Sequence, residues 1–420
     1  MIELNIRIEG IYMNIIDIID KKRLGKELSY KELDYAFTGY LKKYIEDYQM
    51  SSLLMAIVIN GMTLEETINL TDIFIKSGKV YDLSSVSDVI VDKHSTGGIG
   101  DTTTLVVGPI VAASGCYMAK ISGRGLGITG GTIDKLESIP KFNVNLNKKE
   151  FMNNLRKVGF VDCSQTKDLV PLDKVIYNLR NNSGTTESLP LIASSIMSKK
   201  IASGANIILI DIKVGSGALI KTKKDAKILS TWMKEIGKRY NKKVVTIITD
   251  MNVPLSNSIG NKLEVEEAIN VLKGSKTRLY TVSKEIASML ISFAKKITIK
   301  EAEELVDTLI KNGKAYQKFE EFVKCQSGDI SKLKIKAKIK VIKSEKNGVL
   351  TKIDAYKIGE LSLKLGAGKI NDHEVIDYDA GIKLFKDIGD KVKKGDILAT
   401  LYTNKNIKLT NDDVNCFIIK

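Results

Sequence analysis

Three residues able to bind or move a proton or an anion stand in a row at Lys93-His94-Ser95, just before the glycine-rich loop TGGIGD. A second loop, GLGITGGT, follows Ser122 and Arg124 and ends at Thr132. Glycines let main-chain N–H groups close around an anion, and a helix starting after the loop adds partial positive charge. Hydroxyls and cations flank both loops: Lys93, His94, Ser95 and Thr96 at the first, Ser122, Arg124, Thr129 and Thr132 at the second. Asp92–Glu137 therefore reads as an anion site, with phosphate the fitting ligand. His94 is one of two histidines in the chain, and its place between a lysine and a serine gives it a functional role. The other, His373, lies in a polar loop and reads as solvated.

A second constellation lies further on. Ser195 and Lys199 are four residues apart in PLIASSIMSKKIASGA, on one face of a helix, with Ile192 and Ile196 one turn apart beside them. With Arg180 they suggest an apolar slot edged by two cations and a hydroxyl, which suits a planar heterocycle bearing carbonyl oxygens.

Other chemistries are weaker. Gly125, Gly127 and Gly130 match GxGxxG, with Glu150 twenty residues on, but Arg124 and Thr132 suit an anion better than a ribose. There is no GxxxxGK[ST], no metal-ligand cluster, and no serine or cysteine triad. Cys116, Cys163, Cys325 and Cys416 show no CxxC spacing and read as free thiols in a reducing compartment. A reaction joining phosphate to something that carries a heterocycle needs only the features present.

The elements that must position these residues follow from periodicity. Residues 13–77 read as short helices, with a start at Asp47 or Ser51, a stop at Gly61 and a capping box at Thr63/Glu66. From Val86 the pattern becomes strand, loop, helix: VSDVIVDKH, a helix over Thr102–Ser114, and a strand over Tyr117–Ile121. Residues 147–160 and 171–204 return to helix, with Pro171 and Pro190 in first turns. NIILIDIKV and KKVVTIITD read as fully buried parallel strands. Helices at about 222–240, 262–273, 279–296 and 299–313 fill the connections. KLKIKAKIK, over Lys332–Lys340, alternates as a half-exposed strand. DKVKKGDILATLY has the turn of a biotinyl or lipoyl domain, as shape only. The fold class is α/β: a small all-helical domain (13–80, completed by about 171–204), a large α/β domain with a mostly parallel sheet (83–165 and 205–330), and a C-terminal β-rich α+β domain (335–420). Residues 1–12 form an N-terminal extension.

The chain has 420 residues, of which 43% are hydrophobic and 27% charged, as in ordinary globular proteins. The net charge of +15 is spread with a general Lys/Asn/Ile bias, and aromatics are only 6%, so neither a nucleic-acid platform nor a membrane surface is indicated. No signal peptide and no apolar run of spanning length is apparent, and a cytoplasmic location is expected.

SGRGLGITGGTIDKLES resembles the signature of the thymidine/pyrimidine-nucleoside phosphorylases, and DKHSTGGIGDTTTL, PLIASSIMSKKIASGA, IDIKVGSGA and TDMNVPLSNSIGNKLEVEEA are similar to that family in order and spacing. The resemblance runs from about Met13 to the C-terminus. It implies reversible phosphorolysis of uridine, thymidine or deoxyuridine to the free base and α-D-(deoxy)ribose 1-phosphate, with phosphate as co-substrate and no cofactor for the chemistry. It places phosphate on Lys93, Ser95, Thr104, Ser122 and Thr132. The pyrimidine's polar edge would meet Arg180, Ser195 and Lys199, and its faces Leu126, Ile192, Ile196 and Leu219. His94, Arg180 and Lys199 would serve catalysis, and closure of the domains would bring the two ligands together. A structural potassium or calcium ion is implied at Gly100, Thr102, Leu255, Ser258 and Glu267, and a homodimer through the helical domain. The chain departs from the family pattern at three places. Ile128 replaces a usual histidine, Asn181 a usual aspartate after the arginine, and Leu219 a frequent phenylalanine. The alternatives are an enzyme resembling anthranilate phosphoribosyltransferase, or a weakly active relative kept as a binding protein.

Overall fold

The structure, a computed structural model, describes residues 6–8, 11–125, 128, 130–369, 374–410, 413 and 415–420. Leu126, Gly127, Thr129 and His373 lie outside the described residues, as do 1–5, 9 and 10 of the N-terminal segment. In chain order the elements begin with a hairpin, β1 (Ile6–Ile8) and β2 (Ile11–Met13). Four helices follow: α1 (Ile15–Arg23), α2 (Tyr30–Leu41), α3 (Asp47–Asn60) and α4 (Leu64–Lys76). Then come β3 (Ile90–Ser95), α5 (Thr103–Ala113), β4 (Tyr117–Ser122), α6 (Thr132–Glu137), α7 (Lys148–Val158), β5 (Phe160–Ser164), α8 (Pro171–Ser183), α9 (Leu189–Ala202), β6 (Ile207–Val214), α10 (Lys223–Arg239) and β7 (Lys243–Asp250). The rest is β8 (Ser258–Ile259), α11 (Asn261–Leu272), α12 (Arg278–Lys295), α13 (Ile299–Lys311), α14 (Lys314–Cys325), β9 (Lys338–Lys343), β10 (Gly348–Ile353), α15 (Ala355–Leu365), β11 (Gly381–Leu384), β12 (Lys391–Val392), β13 (Ile397–Thr403) and β14 (Phe417–Ile419).

The chain divides into two compact units. The first comprises the described residues of Met1–Asp82 with Thr166–Asn206 and Lys227–Val244. It is helical because its apolar residues recur at helical spacing and its ends are capped. The Thr63 hydroxyl accepts from Glu66 N while the Glu66 carboxylate accepts from Thr63 N, and α3 stops at Gly61, whose φ is +69°. Glu66 also accepts from Leu28 N and from Lys22 Nζ at 2.8 Å, so this buried ion pair has its lone pairs satisfied. The helix expected at about 222–240 gives most of its length, from Lys227, to this unit rather than to the α/β sheet connections.

The second unit holds a five-stranded sheet ordered β5-β4-β3-β6-β7, in which β3 runs parallel to both β4 and β6, and β4 to β5. The chain lays strands outward from β3 on one side and then returns to the other side with β6. The β3/β6 boundary is therefore a topological switch point, where the loops after the two strands diverge and leave a crevice. β6 is buried at every residue, as expected for a strand covered on both faces. β7 differs from the expected buried strand: it is the sheet edge, and Ile247 is its one buried residue. The helix expected to reach residue 160 stops at Val158, because Gly159 takes φ +86°, and the apolar residues from Phe160 form β5. α5, apolar all round, lies fully within the core, whose aromatic centre pairs Phe160 with Phe322 at 4.4 Å.

The C-terminal part of this unit is β-rich, with an antiparallel sheet ordered β8-β11-β13-β9, a three-stranded sheet β12-β10-β14, and α15 packed among them. The strand expected over Lys332–Lys340 is displaced. Residues 333–337 have no strand partner, and pairing with β13 begins only at Lys338. Alternation gave the face but not the register, which the partner strand decides. Among the described residues no helix is long and apolar enough to cross a membrane.

Candidate active site

β3 ends at the switch point, and side chains alternate along it. Lys93 and Ser95 therefore share one face, and His94 turns to the other. Lys93 is 1% exposed, and its Nζ donates to Thr103 Oγ1, the first residue of α5, while lying 3.9 Å from Asp101 Oδ1. Asp101 braces the whole turn. It accepts from the Ser95 hydroxyl, from Thr103 Oγ1 at 2.6 Å and from Thr103 N at 3.3 Å. Gly97, with φ +92°, lets the loop reverse so that its N–H donates to Ser95 Oγ at 3.2 Å.

Three more lysines lie under this turn. Lys213 is 2.6 Å from Asp211, both fully buried at the end of β6. Lys135 Nζ donates to the Asp101 carbonyl at 2.7 Å and pairs with Glu264 at 2.7 Å. Lys120 Nζ donates to the Lys93 carbonyl at 2.7 Å. Burial alone would raise the Asp101 pKa, but Lys213, Lys93 and Lys135 hold its carboxyl well below the usual carboxylate range. Burial pushes the Lys93 ammonium down, against the pull of Asp101 and Asp211. The result is a cation site kept in place by carboxylates behind it.

The second loop is assembled differently. Ser122 closes β4, and its hydroxyl donates to Asp162 on β5 at 2.9 Å. Thr132, half-buried, opens α6. Arg124 is not turned to an anion. It is 56% exposed on its side chain and engages Asp134 at 3.0 Å and Glu137 at 2.6 Å. Asp134 also accepts from Gly125 N at 2.7 Å, and Gly131 lies so close that a Cβ there would fall 2.1 Å from Gly125 N. The sequence read Arg124 as a loop cation; the carboxylates of α6, one turn apart, take it instead. Thr104 follows Thr103 in the first turn of α5 and is buried. Five anion-binding candidates, Lys93, Ser95, Thr104, Ser122 and Thr132, thus lie at the carboxyl ends of two adjacent strands or in the first turns of the helices that follow.

In the helical unit, α8 and α9 carry the other group. Arg180 is 2% exposed and spends its guanidinium on the turn that follows α8. Nε donates to the Thr185 carbonyl at 3.1 Å, Nη2 to Thr186 at 2.8 Å and Nη1 to Leu191 at 3.2 Å. Burial pushes it down to about 10, against the attraction of Asp173. Lys199 Nζ donates to Asp173 Oδ2 and, at 2.7 Å, to Ser195 Oγ, and lies 5.6 Å from the centre of the Tyr177 ring. Burial lowers the Lys199 pKa, and Asp173 opposes that. Ile192 and Ile196 are buried one turn apart on α9. Asp173, Tyr177 and Arg180 stand at i, i+4 and i+7 on α8, a spacing that would have revealed Asp173 and Tyr177 had it been traced back from the arginine. Asp101, Thr103 and Lys213 were likewise missed, although Asp101 is the residue that closes the first glycine loop. Leu219 is half-buried in the turn after β6 and belongs to the α/β unit, apart from Ile192 and Ile196. Asn181 is exposed on α8.

The residues expected to hold a cation converge through the main chain. Ser256 Oγ donates to the Gly100 carbonyl at 2.5 Å, Leu255 N to the Ile99 carbonyl, and the Glu267 carboxylate accepts from Asn257 N at 3.0 Å and Ser258 N at 2.5 Å. Thr102 Oγ1 donates to Glu264 at 2.6 Å. Burial and the neighbouring Glu264 push the Glu267 carboxyl up, against the pull of those N–H groups. Carbonyl, hydroxyl and carboxylate oxygens are the donor types a hard cation takes. Among the described residues no cluster of three or more His, Cys, Asp or Glu side chains could hold a metal.

Comparison with known proteins places this geometry in context. Residues 16–78 match the glycosyl transferase family helical bundle domain, 87–316 the glycosyl transferase family a/b domain, and 349–413 the pyrimidine nucleoside phosphorylase C-terminal domain. The chain is 46% identical to a pyrimidine-nucleoside phosphorylase of Staphylococcus epidermidis, covering 93% of this chain and 92% of that one. It is 45% identical to that of Bacillus subtilis and 44% to that of Geobacillus stearothermophilus, each over 94% of this chain and 93% of the relative. Among solved structures, anthranilate phosphoribosyltransferase from Thermus thermophilus superposes with a TM-score of 0.60 at 16% identity, covering 74% of this chain and all of the other. At that identity the likeness is one of fold. The anthranilate phosphoribosyltransferase reading is not favoured, since the relatives over nearly the full length and the C-terminal domain match both point elsewhere.

Proposed function

The chain belongs to the pyrimidine-nucleoside phosphorylase family, and from that premise we propose that it catalyses the reversible phosphorolysis of uridine, thymidine or deoxyuridine to free base and α-D-(deoxy)ribose 1-phosphate. One observation carries the reading. Lys93, buried, donates to Thr103 and lies 3.9 Å from Asp101, which holds its ammonium beside Ser95 at the switch point of the sheet.

Phosphate is held by Lys93, Ser95, Thr104, Ser122 and Thr132 and attacks C1 of the sugar. As the C–N bond breaks, positive charge builds on the sugar and negative charge on the pyrimidine. Lys199 and Arg180 stabilise that developing anion, and a proton passes to the base, with His94 as a donor. Ser195 accepts from Lys199, so its own O–H is left to donate to a pyrimidine carbonyl. Asp173 fixes Lys199, and Arg180 fixes the loop that leads into α9. Ile192 and Ile196 supply apolar contact to the ring.

A potassium or calcium ion at Gly100, Thr102, Leu255, Ser258 and Glu267 has a structural role only. The all-oxygen donor set supports it, and dialysis against a sodium-only buffer containing a calcium chelator should lower the unfolding temperature until the ion is returned. A homodimer through the helical unit is supported by Tyr48, Met55 and Ile59, apolar side chains left exposed along one stripe of α3, and light scattering decides it. Its substrates are nucleoside and phosphate, metabolites of the cytoplasm, and cell fractionation checks that placement.

The test is release of free base from uridine, thymidine or cytidine with and without inorganic phosphate. Phosphate-dependent release is expected; no release from any pyrimidine nucleoside would sink the proposal and favour a binding role.

A further inference from the structure

A serine hydroxyl has one proton to give and two lone pairs to receive. At Ser95 the proton goes to Asp101 Oδ2, and one lone pair takes Gly97 N–H at 3.2 Å. What remains for a ligand is a lone pair. Asp101 cannot release the proton cheaply. Its side chain is 6% exposed, and its other oxygen already accepts from Thr103 Oγ1 at 2.6 Å, whose own oxygen accepts from Lys93. The chain Lys93→Thr103→Asp101←Ser95 therefore fixes the polarity of two neighbouring groups: Lys93 offers donors, and Ser95 offers an acceptor. Ser122 repeats the pattern on the next strand, its hydroxyl donating to buried Asp162 at 2.9 Å.

An anion fully stripped of protons meets such a serine lone pair to lone pair. An anion that keeps a proton at neutral pH can donate it. Inorganic phosphate and arsenate keep at least one; sulfate keeps none. We infer that Asp101 determines oxyanion specificity: by accepting the Ser95 hydroxyl hydrogen bond it makes the site accept phosphate and arsenate through their O–H groups and turn sulfate away.

The inference rests on the reading of this turn as the phosphate site, and the experiment separates the two. Phosphate, arsenate and sulfate are each titrated calorimetrically into the full chain, in parallel with the base-release assay. Phosphate and arsenate should bind about 10–100-fold more tightly than sulfate, the usual penalty for a buried polar group left unmatched. In Asp101→Asn the amide can flip and donate to Ser95 Oγ, freeing the hydroxyl proton, and the phosphate-to-sulfate ratio should fall about tenfold. Ser95→Ala, which removes the acceptor without touching the carboxylate, should lower the same ratio and covers the case in which Asp101→Asn does not fold. A simple packing role would weaken both anions together and leave the ratio unchanged. Equal binding of sulfate and phosphate in the wild-type chain, or a ratio kept in both variants, overturns the inference even if base release is phosphate-dependent. Absence of binding by all three anions overturns the inference and the site reading together. Selective phosphate binding without base release leaves the specificity standing and removes the reaction.

Discussion

Two regions of the molecule use the same three residue types to opposite effect. At the end of β3 the set is Lys93, Ser95 and Asp101; on α8 and α9 it is Lys199, Ser195 and Asp173. In the first, the serine donates to the aspartate and the lysine is held through a threonine. In the second, the lysine donates to both the aspartate and the serine. The serine therefore faces a ligand as an acceptor in one region and as a donor in the other. That matches a protonated oxyanion in the first and a ring carbonyl in the second. Residue type alone does not say which way a hydroxyl points; the partner that claims its proton does.

The comparison breaks most visibly at the lysines. Lys93→Met keeps the volume and removes the charge from a position where the carboxylates of Asp101 and Asp211 remain nearby. It should lower kcat/KM by about 10²–10³, with the rise in KM falling on phosphate. An unchanged rate would remove Lys93 from the site. Asp173→Asn is the milder counterpart. It leaves Lys199 its bond to Ser195 but loses the carboxylate that opposes its burial, so the nucleoside KM should rise about tenfold while the phosphate KM stays. If both KM values moved together in either variant, the division of labour between the two regions would be wrong.

The same contrast explains what could be read from the sequence. The glycine loops were legible because a turn that reverses over an anion needs particular residues at particular places, and Lys93, Ser95 and Thr132 flank them in a recognisable string. Their braces were not. Asp101 closes the loop from inside it, Asp162 lies on the next strand, and Lys213 comes from β6, more than a hundred residues later. Arg124 misled for the same reason: it looks like a loop cation until Asp134 and Glu137 of α6 are placed beside it. Helices and the parallel sheet followed from periodicity. The β9 register and the edge position of β7 did not, because a strand's exposure is set by its neighbour rather than by its own alternation.

Ile128 gives the smallest effect and the sharpest view of the second loop. The sequence resemblance expects a histidine at its position, and its side chain packs on the C-terminal core. A Cβ placed on Gly359 of α15 would lie 3.1 Å from Ile128 Cδ1 and 2.5 Å from Ile99 Cδ1, so the helix meets both isoleucines through a bare glycine. An imidazole in that contact would trade apolar packing for a polar ring with ring nitrogens to satisfy. Ile128→His should therefore cost about 1–2 kcal/mol in denaturant unfolding. The rate constant should stay near that of the parent, because the residues given to phosphate, Ser122 and Thr132, are held by Asp162 and by α6 rather than by residue 128. A gain in turnover with no loss of stability would reverse this assignment and mark Ile128 as a defect in the loop rather than its anchor.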